Sequence, residues 1–255
     1  MNRGWLTVLI AVSVTGCGGR ASTGADSAPA RSELKVSAAA SLTDAFTAYG
    51  EQFDPAEAAF SFGASDELAA QIRAGALPDV YAAANTTLPD ELAEEGLLGE
   101  PTVFATNALV IAVPEGSELE SVEDLEQPGL AIVIGSETVP VGVYTRLALE
   151  RLPDEGETIL ANVRSEEPDV KGVLGKLTQG AADAGFVYDS DVIATRGQLR
   201  AIELPSKLQP DVAYGIAVVE GTEFPEQGQE FIDGLLEGPG AEALAEAGFG
   251  PPPSE

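Results

Sequence analysis

Apolar and polar positions change period repeatedly along this chain, and each change predicts an element. Leu34 to Ala40 is a short, mainly apolar run that predicts a strand. After it, Leu42, Ala45, Phe46, Tyr49 and Phe53 fall at i, i+3, i+4, i+7 and i+11, one face of a helix. Ser41 stands between them, where an N-cap belongs. The same alternation continues. Phe60 to Phe62, Val80 to Ala84, Ala108 to Val113, Leu130 to Ile134, Ala184 to Tyr188, Leu199 to Leu204 and Val212 to Val219 predict strands. Leu68 with Ile72, Leu88 to Glu95, Val141 to Leu152, Val170 to Leu177, Phe231 to Leu236 and Ala241 to Ala247 predict helices. Pro140 is suited to a first helical position and Gly248 to a helix end.

Strands alternating with helices imply mostly parallel sheets. The units form two groups, one before Ala108 and one after it, with neither an internal repeat nor a long linker between them. Two α/β lobes, connected through strands, are therefore expected. Open α/β sheets bind ligands at the carboxyl ends of their strands, so two facing lobes define a cleft.

The N-terminus follows a different pattern. Arg3 precedes an apolar stretch from Trp5 to Val14, then Thr15, Gly16 and Cys17. A positive start, a short apolar region and small residues describe a secretory signal, too short to span a bilayer as a helix. Small residues leading into Cys17 resemble a bacterial lipoprotein signal, which implies lipidation at Cys17. Residues 18–32 are dominated by small and polar side chains and read as a flexible tether.

Composition narrows the chemistry. Lys and Arg total 13 against 42 Asp and Glu, a formal net charge of −29 among 255 residues, which excludes nucleic acid and anionic membrane surfaces as partners. There is no histidine, and the single cysteine is Cys17. A Ser-His-Asp triad, a Cys nucleophile and a His or Cys zinc site are thereby excluded from the body of the chain. Carboxylate pairs such as Glu166 with Glu167, or Asp189 with Asp191, leave acid–base catalysis formally open, although solvated loop charges account for them more simply.

The strand ends point elsewhere. Ser41, Ser65, Val141 and Val170 each fall at a predicted helix start, where backbone N–H groups lack partners and carry partial positive charge. Such ends hold anions without Lys or Arg. Each signal is ordinary alone: a Ser at an N-cap is usually only a cap, and Tyr188 by itself reads as a wedge at the core edge.

Several segments together resemble the molybdate-binding proteins of ABC transporters, the ModA type with the type II periplasmic binding protein fold. They are Ala38-Ala39-Ala40-Ser41-Leu42-Thr43-Asp44-Ala45, Phe62-Gly63-Ala64-Ser65, Gly75-Ala76-Leu77-Pro78-Asp79-Val80, Val139-Pro140-Val141-Gly142-Val143-Tyr144, Asp169-Val170-Lys171-Gly172, Gly185-Phe186-Val187-Tyr188 and Val218-Val219-Glu220-Gly221. They run in the family's order from about Leu34 to Phe249. The resemblance implies two lobes, each a mixed, mostly parallel sheet flanked by helices, with the ligand in the cleft. The expected divisions are 1–17 for the signal, 18–32 for the tether, 33–107 and 214–255 for one lobe, and 108–213 for the other. It implies that Ser41 and Ser65 donate through hydroxyl and backbone N–H, Val141 and Val170 through backbone N–H, and Tyr188 through its phenol. Molybdenum is then met only as its oxyanion, with no direct protein–metal ligands.

Asp66, Glu67 and Asn85 depart from the family pattern. Asp66 is expected to face solvent and support its helix N-terminus. The implied protein is not an enzyme and has no cofactor. It is an extracytoplasmic, lipid-anchored monomer that captures molybdate or tungstate for the permease of an ABC importer. The alternatives are sulfate, another small oxyanion or a carboxylate as ligand and, more remotely, an enzyme on the same scaffold.

Overall fold

The computed structural model describes residues 32–253. The expected signal segment with Cys17, and the tether except Ser32, lie outside these residues. The first sheet is assembled from β1 (Glu33–Ala39), β2 (Glu57–Gly63), β3 (Val80–Ala83), β4 (Thr102–Asn107) and a late strand, β10 (Val212–Val218). The second contains β5 (Leu109–Pro114), β6 (Ile132–Gly135), β7 (Val163–Glu167), β8 (Ala184–Tyr188) and β9 (Leu199–Glu203). The helices are α1 (Thr43–Gly50), α2 (Ser65–Arg73), α3 (Thr87–Glu94), α4 (Pro140–Leu149), α5 (Pro153–Ala161), α6 (Val170–Thr178), α7 (Asp189–Ala194), α8 (Pro225–Glu237) and α9 (Pro239–Glu246).

The strand orders are β2-β1-β3-β10-β4 and β7-β6-β8-β5-β9. In the first sheet β10 runs antiparallel to both its neighbours, and in the second β5 does the same. The other pairings are parallel. Each sheet is thus mixed with a single reversed strand, and the two match position by position. That structural repeat has no counterpart in the sequence, because only topology is shared.

The reversed strands are those entered by crossing between sheets. The chain leaves the first sheet at Asn107, enters the second at Leu109, and returns after Glu203 to begin β10 at Val212, two residues ahead of the boundary expected at 214. Gln209 ties the two crossings together: its amide donates to the Leu109 carbonyl at 2.8 Å and its Oε1 accepts from the Leu109 N–H at 3.2 Å.

Burial follows the helix faces. Ala45, Phe46 and Tyr49 of α1 are buried, and so are Phe231, Ile232 and Leu235 of α8. Phe46 meets Phe104 and Phe231 with ring centroids 5.8 and 5.5 Å apart. On the other face of the first sheet, Leu68, Ile72 and Leu92 pack on Tyr81 and Val219. Covering both faces explains why β3 and β5 read as continuous apolar runs. Among the described residues no helix is long and apolar enough to cross a membrane.

Four elements were absent from the sequence reading, and each has a physical reason. Strand β7 is Val-Arg-Ser-Glu-Glu at a sheet edge, α5 begins Pro-Asp-Glu-Gly, α7 has only six residues, and β4 alternates weakly.

Candidate functional site

Strand register sets the site. Ala39 of β1 pairs with Gly63 of β2, so Ser41 and Ser65 emerge two residues beyond one rung of the ladder. Gly135 of β6 pairs with Glu167 of β7 in the second sheet, bringing the starts of α4 and α6 together. Between them lies a small cavity of about 20 Å³, and Ser41, Ser65, Val141, Val170 and Tyr188 all line it. Their exposures run from 1% to 7%, so all five are buried. Asp66, Glu67 and Asn85 are not part of its lining.

The local geometry differs from expectation at Ser41. It lies inside a 3₁₀ turn spanning Ala40–Leu42 rather than capping α1, which starts at Thr43 without a side-chain cap. Its hydroxyl sits 3.1 Å from the Tyr214 hydroxyl instead. Ser65 opens α2, and its Oγ accepts from the Ala84 N–H at 3.1 Å. That bond occupies a lone pair and leaves the Ser65 proton available to the cavity. Tyr81 donates to the Ser65 carbonyl at 2.7 Å and fixes the turn from behind.

No side chain caps α2 or α4, so their first N–H groups keep their donor capacity. Val141 is the second residue of α4, after Pro140. Its helix starts unusually close to the strand before it: a Cβ on Gly142 would lie 1.9 Å from the Ser136 carbonyl oxygen. Val170 opens α6, whose cap is Asp169. Asp169 is the one carboxylate in the lining, and its Oδ1 accepts from the Gly172 N–H at 2.8 Å. The carboxylate is thereby engaged with its own helix.

Tyr188 ends β8, and its buried hydroxyl has no hydrogen-bond partner. Burial drives its pKa well above the ordinary tyrosine value, with Tyr214, Tyr144 and Asp191 adding to the shift. The phenol therefore keeps its proton and can only donate or accept as a neutral group.

Among the described residues neither Lys nor Arg lines the cavity. Lys171, next to Val170, is held 3.6 Å from Asp191. Asp191 is not a solvated loop charge, as the sequence suggested, but 1% exposed, and its Oδ2 accepts from the Tyr188 N–H at 3.4 Å. Burial pushes its pKa up to about 6, against the opposing pull of Lys171. Glu166 and Glu167 pair with Arg146 at 2.8 Å and Lys176 at 3.7 Å. Asp66 lies in the first turn of α2 as expected, but it is half-buried and its Oδ1 is buried without a partner. Among the described residues no group of three or more His, Cys, Asp or Glu is placed to hold a metal ion.

The sequence reading did not single out Tyr214, and it took Asp191 for a solvated charge. Tyr214 lies 173 positions from the serine it touches, and a tyrosine in an apolar strand carries no local signal of that contact.

Two lobes joined by paired strand crossings, with a cavity at the carboxyl ends of their parallel strands, define a periplasmic-type solute-binding protein. The chain belongs to the family of bacterial extracellular solute-binding proteins, which it matches over residues 34–250. It is 35% identical to the molybdate-binding protein ModA of Mycobacterium tuberculosis H37Rv, over 99% of this chain and 98% of that one. The periplasmic molybdate-binding protein of Azotobacter vinelandii superposes with a TM-score of 0.77 at 21% identity, covering 86% of this chain and 100% of that one. The sulfate-binding protein SubI of Mycobacterium tuberculosis gives 0.78 at 17% identity, covering 86% and 87%. The fold is therefore common to binders of different oxyanions, and the site must decide between them.

Proposed function

We propose that the protein captures molybdate, and with it tungstate, for the permease of an ABC importer. Ser41 and Ser65 donate through hydroxyl and backbone N–H, Val141 and Val170 through backbone N–H, and Tyr188 through its phenol. The observation that carries this reading is the Tyr188 hydroxyl: a fully buried donor without a partner, lining a cavity that has two uncapped helix starts and no cation. A buried donor left unmatched costs roughly 1–3 kcal/mol, and an anion in the cavity removes that cost. The 35% identity to ModA supports the same ligand.

Molybdate at neutral pH is a fully deprotonated dianion and only accepts hydrogen bonds. Phosphate carries a proton at that pH and needs at least one acceptor; the one carboxylate in the lining, Asp169, is engaged with Gly172 N–H, so the site disfavours phosphate. Sulfate is acceptor-only too but smaller, so discrimination against it rests on cavity size. Tungstate matches molybdate in charge and nearly in size.

Residues 33–107 and 214–255 form one lobe and 108–213 the other, and hinge closure over the anion makes the form that the permease reads. The small residues leading to Cys17 support lipid anchoring outside the cytoplasm, with the protein acting as a monomer. Calorimetry with molybdate, tungstate, sulfate and phosphate at micromolar protein tests the proposal. Heat with the first two and none with phosphate is expected; no heat with molybdate refutes it.

A further inference from the structure

Among the described residues, three carboxylates stand at the starts of α2 and α6, and they are not alike. Asp169 caps α6, and its Oδ1 is engaged by the Gly172 N–H at 2.8 Å. Glu67, in the first turn of α2, is exposed, so water screens its charge. Asp66, one position earlier, is half-buried, and its Oδ1 is shut off from solvent without a hydrogen-bond partner. No side chain caps α2, so Asp66 brings a negative charge to this helix start without occupying the donors there. Its place is fixed by Ser65, the residue before it. Consecutive Cα atoms lie about 3.8 Å apart, so chain geometry alone holds the Asp66 carboxylate within roughly 10 Å of the Ser65 hydroxyl. Ser65 is itself held on two sides, by the Ala84 N–H at its Oγ and by the Tyr81 hydroxyl at its carbonyl. Tyr81 feels the same charge: burial drives its pKa up, and Asp66 adds to the rise.

We infer that Asp66 sets the affinity of the site from outside its lining, opposing the bound anion through charge alone. The free N–H groups at the start of α2 attract an oxyanion, and a carboxylate in the same turn subtracts from that attraction. Asp66 does not line the cavity, so it neither touches the ligand nor competes for a donor. Its partial burial gives its field a lower effective dielectric than a charge in water has, and salt screens it less. The exposed Glu67 lacks both advantages. A binding protein that hands its ligand to a permease must also let it go. A fixed negative charge beside the donors speeds release while every donor stays in place.

The role of Asp66 rests on the oxyanion reading of the same cavity, and it is tested so that the two can fail separately. Wild-type protein, Asp66→Asn, Asp66→Ser and Glu67→Gln are titrated calorimetrically with molybdate, followed for its release by stopped flow, and melted without ligand to establish folding. Asn and Ser are both neutral but differ in size, so equal effects report charge and not packing. Both variants are expected to bind molybdate about tenfold more tightly, mainly through slower release. Glu67→Gln removes the same charge from the same helical turn, and its affinity should stay within about twofold of wild type. With wild type binding molybdate, unchanged or weaker binding in Asp66→Asn and Asp66→Ser overturns the role of Asp66 alone. A gain in Glu67→Gln equal to theirs does the same, since it would reflect net charge and not this site. Wild type that binds no molybdate overturns the functional reading and the role of Asp66 with it.

Discussion

The Tyr188 phenol is buried, protonated and unpartnered, and Tyr188→Phe removes it with little change of shape. The ligand-free protein should lose no stability, since an unmatched buried polar atom disappears. Molybdate affinity should fall about 10- to 100-fold, the worth of one hydrogen bond to a charged group at roughly 1.5–3 kcal/mol. Melting curves with and without molybdate check both halves. A loss of stability in the free protein would mean that the hydroxyl serves the fold instead. At this scale the sequence was informative about the serines and valines, because a helix start after a strand is a local feature. It was silent about Tyr214, whose contact with Ser41 joins distant segments, and it took Asp191 for a solvated charge. It also misplaced Ser41 as a cap, since a 3₁₀ turn and an α-helix start share the same residue preferences.

Asp191 gives the residue scale a pH signature. Its folded pKa of about 6 lies above the ordinary value near 3.9. Below about pH 4 it is protonated in both states and contributes no difference. Between about pH 4 and 6 the unfolded chain releases the proton first, so this group's contribution disfavours the fold increasingly as pH rises. Above about pH 6 the cost is complete, on the order of 3 kcal/mol. The groups facing it are Lys171, Tyr188, Tyr214 and Asp44. The stability of Asp191→Asn relative to wild type should therefore rise through that window and level off above it, as measured by urea unfolding at stepped pH. A flat difference would place Asp191 in a more polar setting than the structure describes.

At the scale of elements, close approach of helix to strand builds the site. Gly142 allows α4 to begin against the exit of β6, and Gly142→Ala must push that helix start away from the Ser136 carbonyl. A cost of about 1–3 kcal/mol in stability is expected, together with weaker molybdate binding. Gly175 is the control: in the interior of α6 its added methyl meets only the Gln179 amide at 3.7 Å. Gly175→Ala should stabilise by up to about 1 kcal/mol and leave affinity unchanged. Elements with a strong apolar period, such as α1, α6 and β5, were legible in the sequence. Strand β7 and helices α5 and α7 were not, because an edge strand full of charge and very short or Gly- and Pro-bearing helices lack that period.

The whole molecule carries a formal charge of −29, the proposed ligand is a dianion, and no Lys or Arg of the described residues lines the cavity. Its long-range field repels the ligand, and only local dipoles attract it. Salt screens the repulsion: the Debye length falls from about 30 Å at 0.01 M to about 8 Å at 0.15 M. The association rate for molybdate should accordingly rise with ionic strength in stopped-flow fluorescence. A rate that falls with salt would point to a local positive field that the structure does not contain.

A crystal structure of the molybdate complex tests the central claim most directly. Oxyanion atoms should lie about 2.7–3.1 Å from the hydroxyls of Ser41, Ser65 and Tyr188 and from the backbone nitrogens of Val141 and Val170. No Lys or Arg should reach the anion. A molybdate ion seated outside this cavity, or held by a basic side chain within it, would contradict the account.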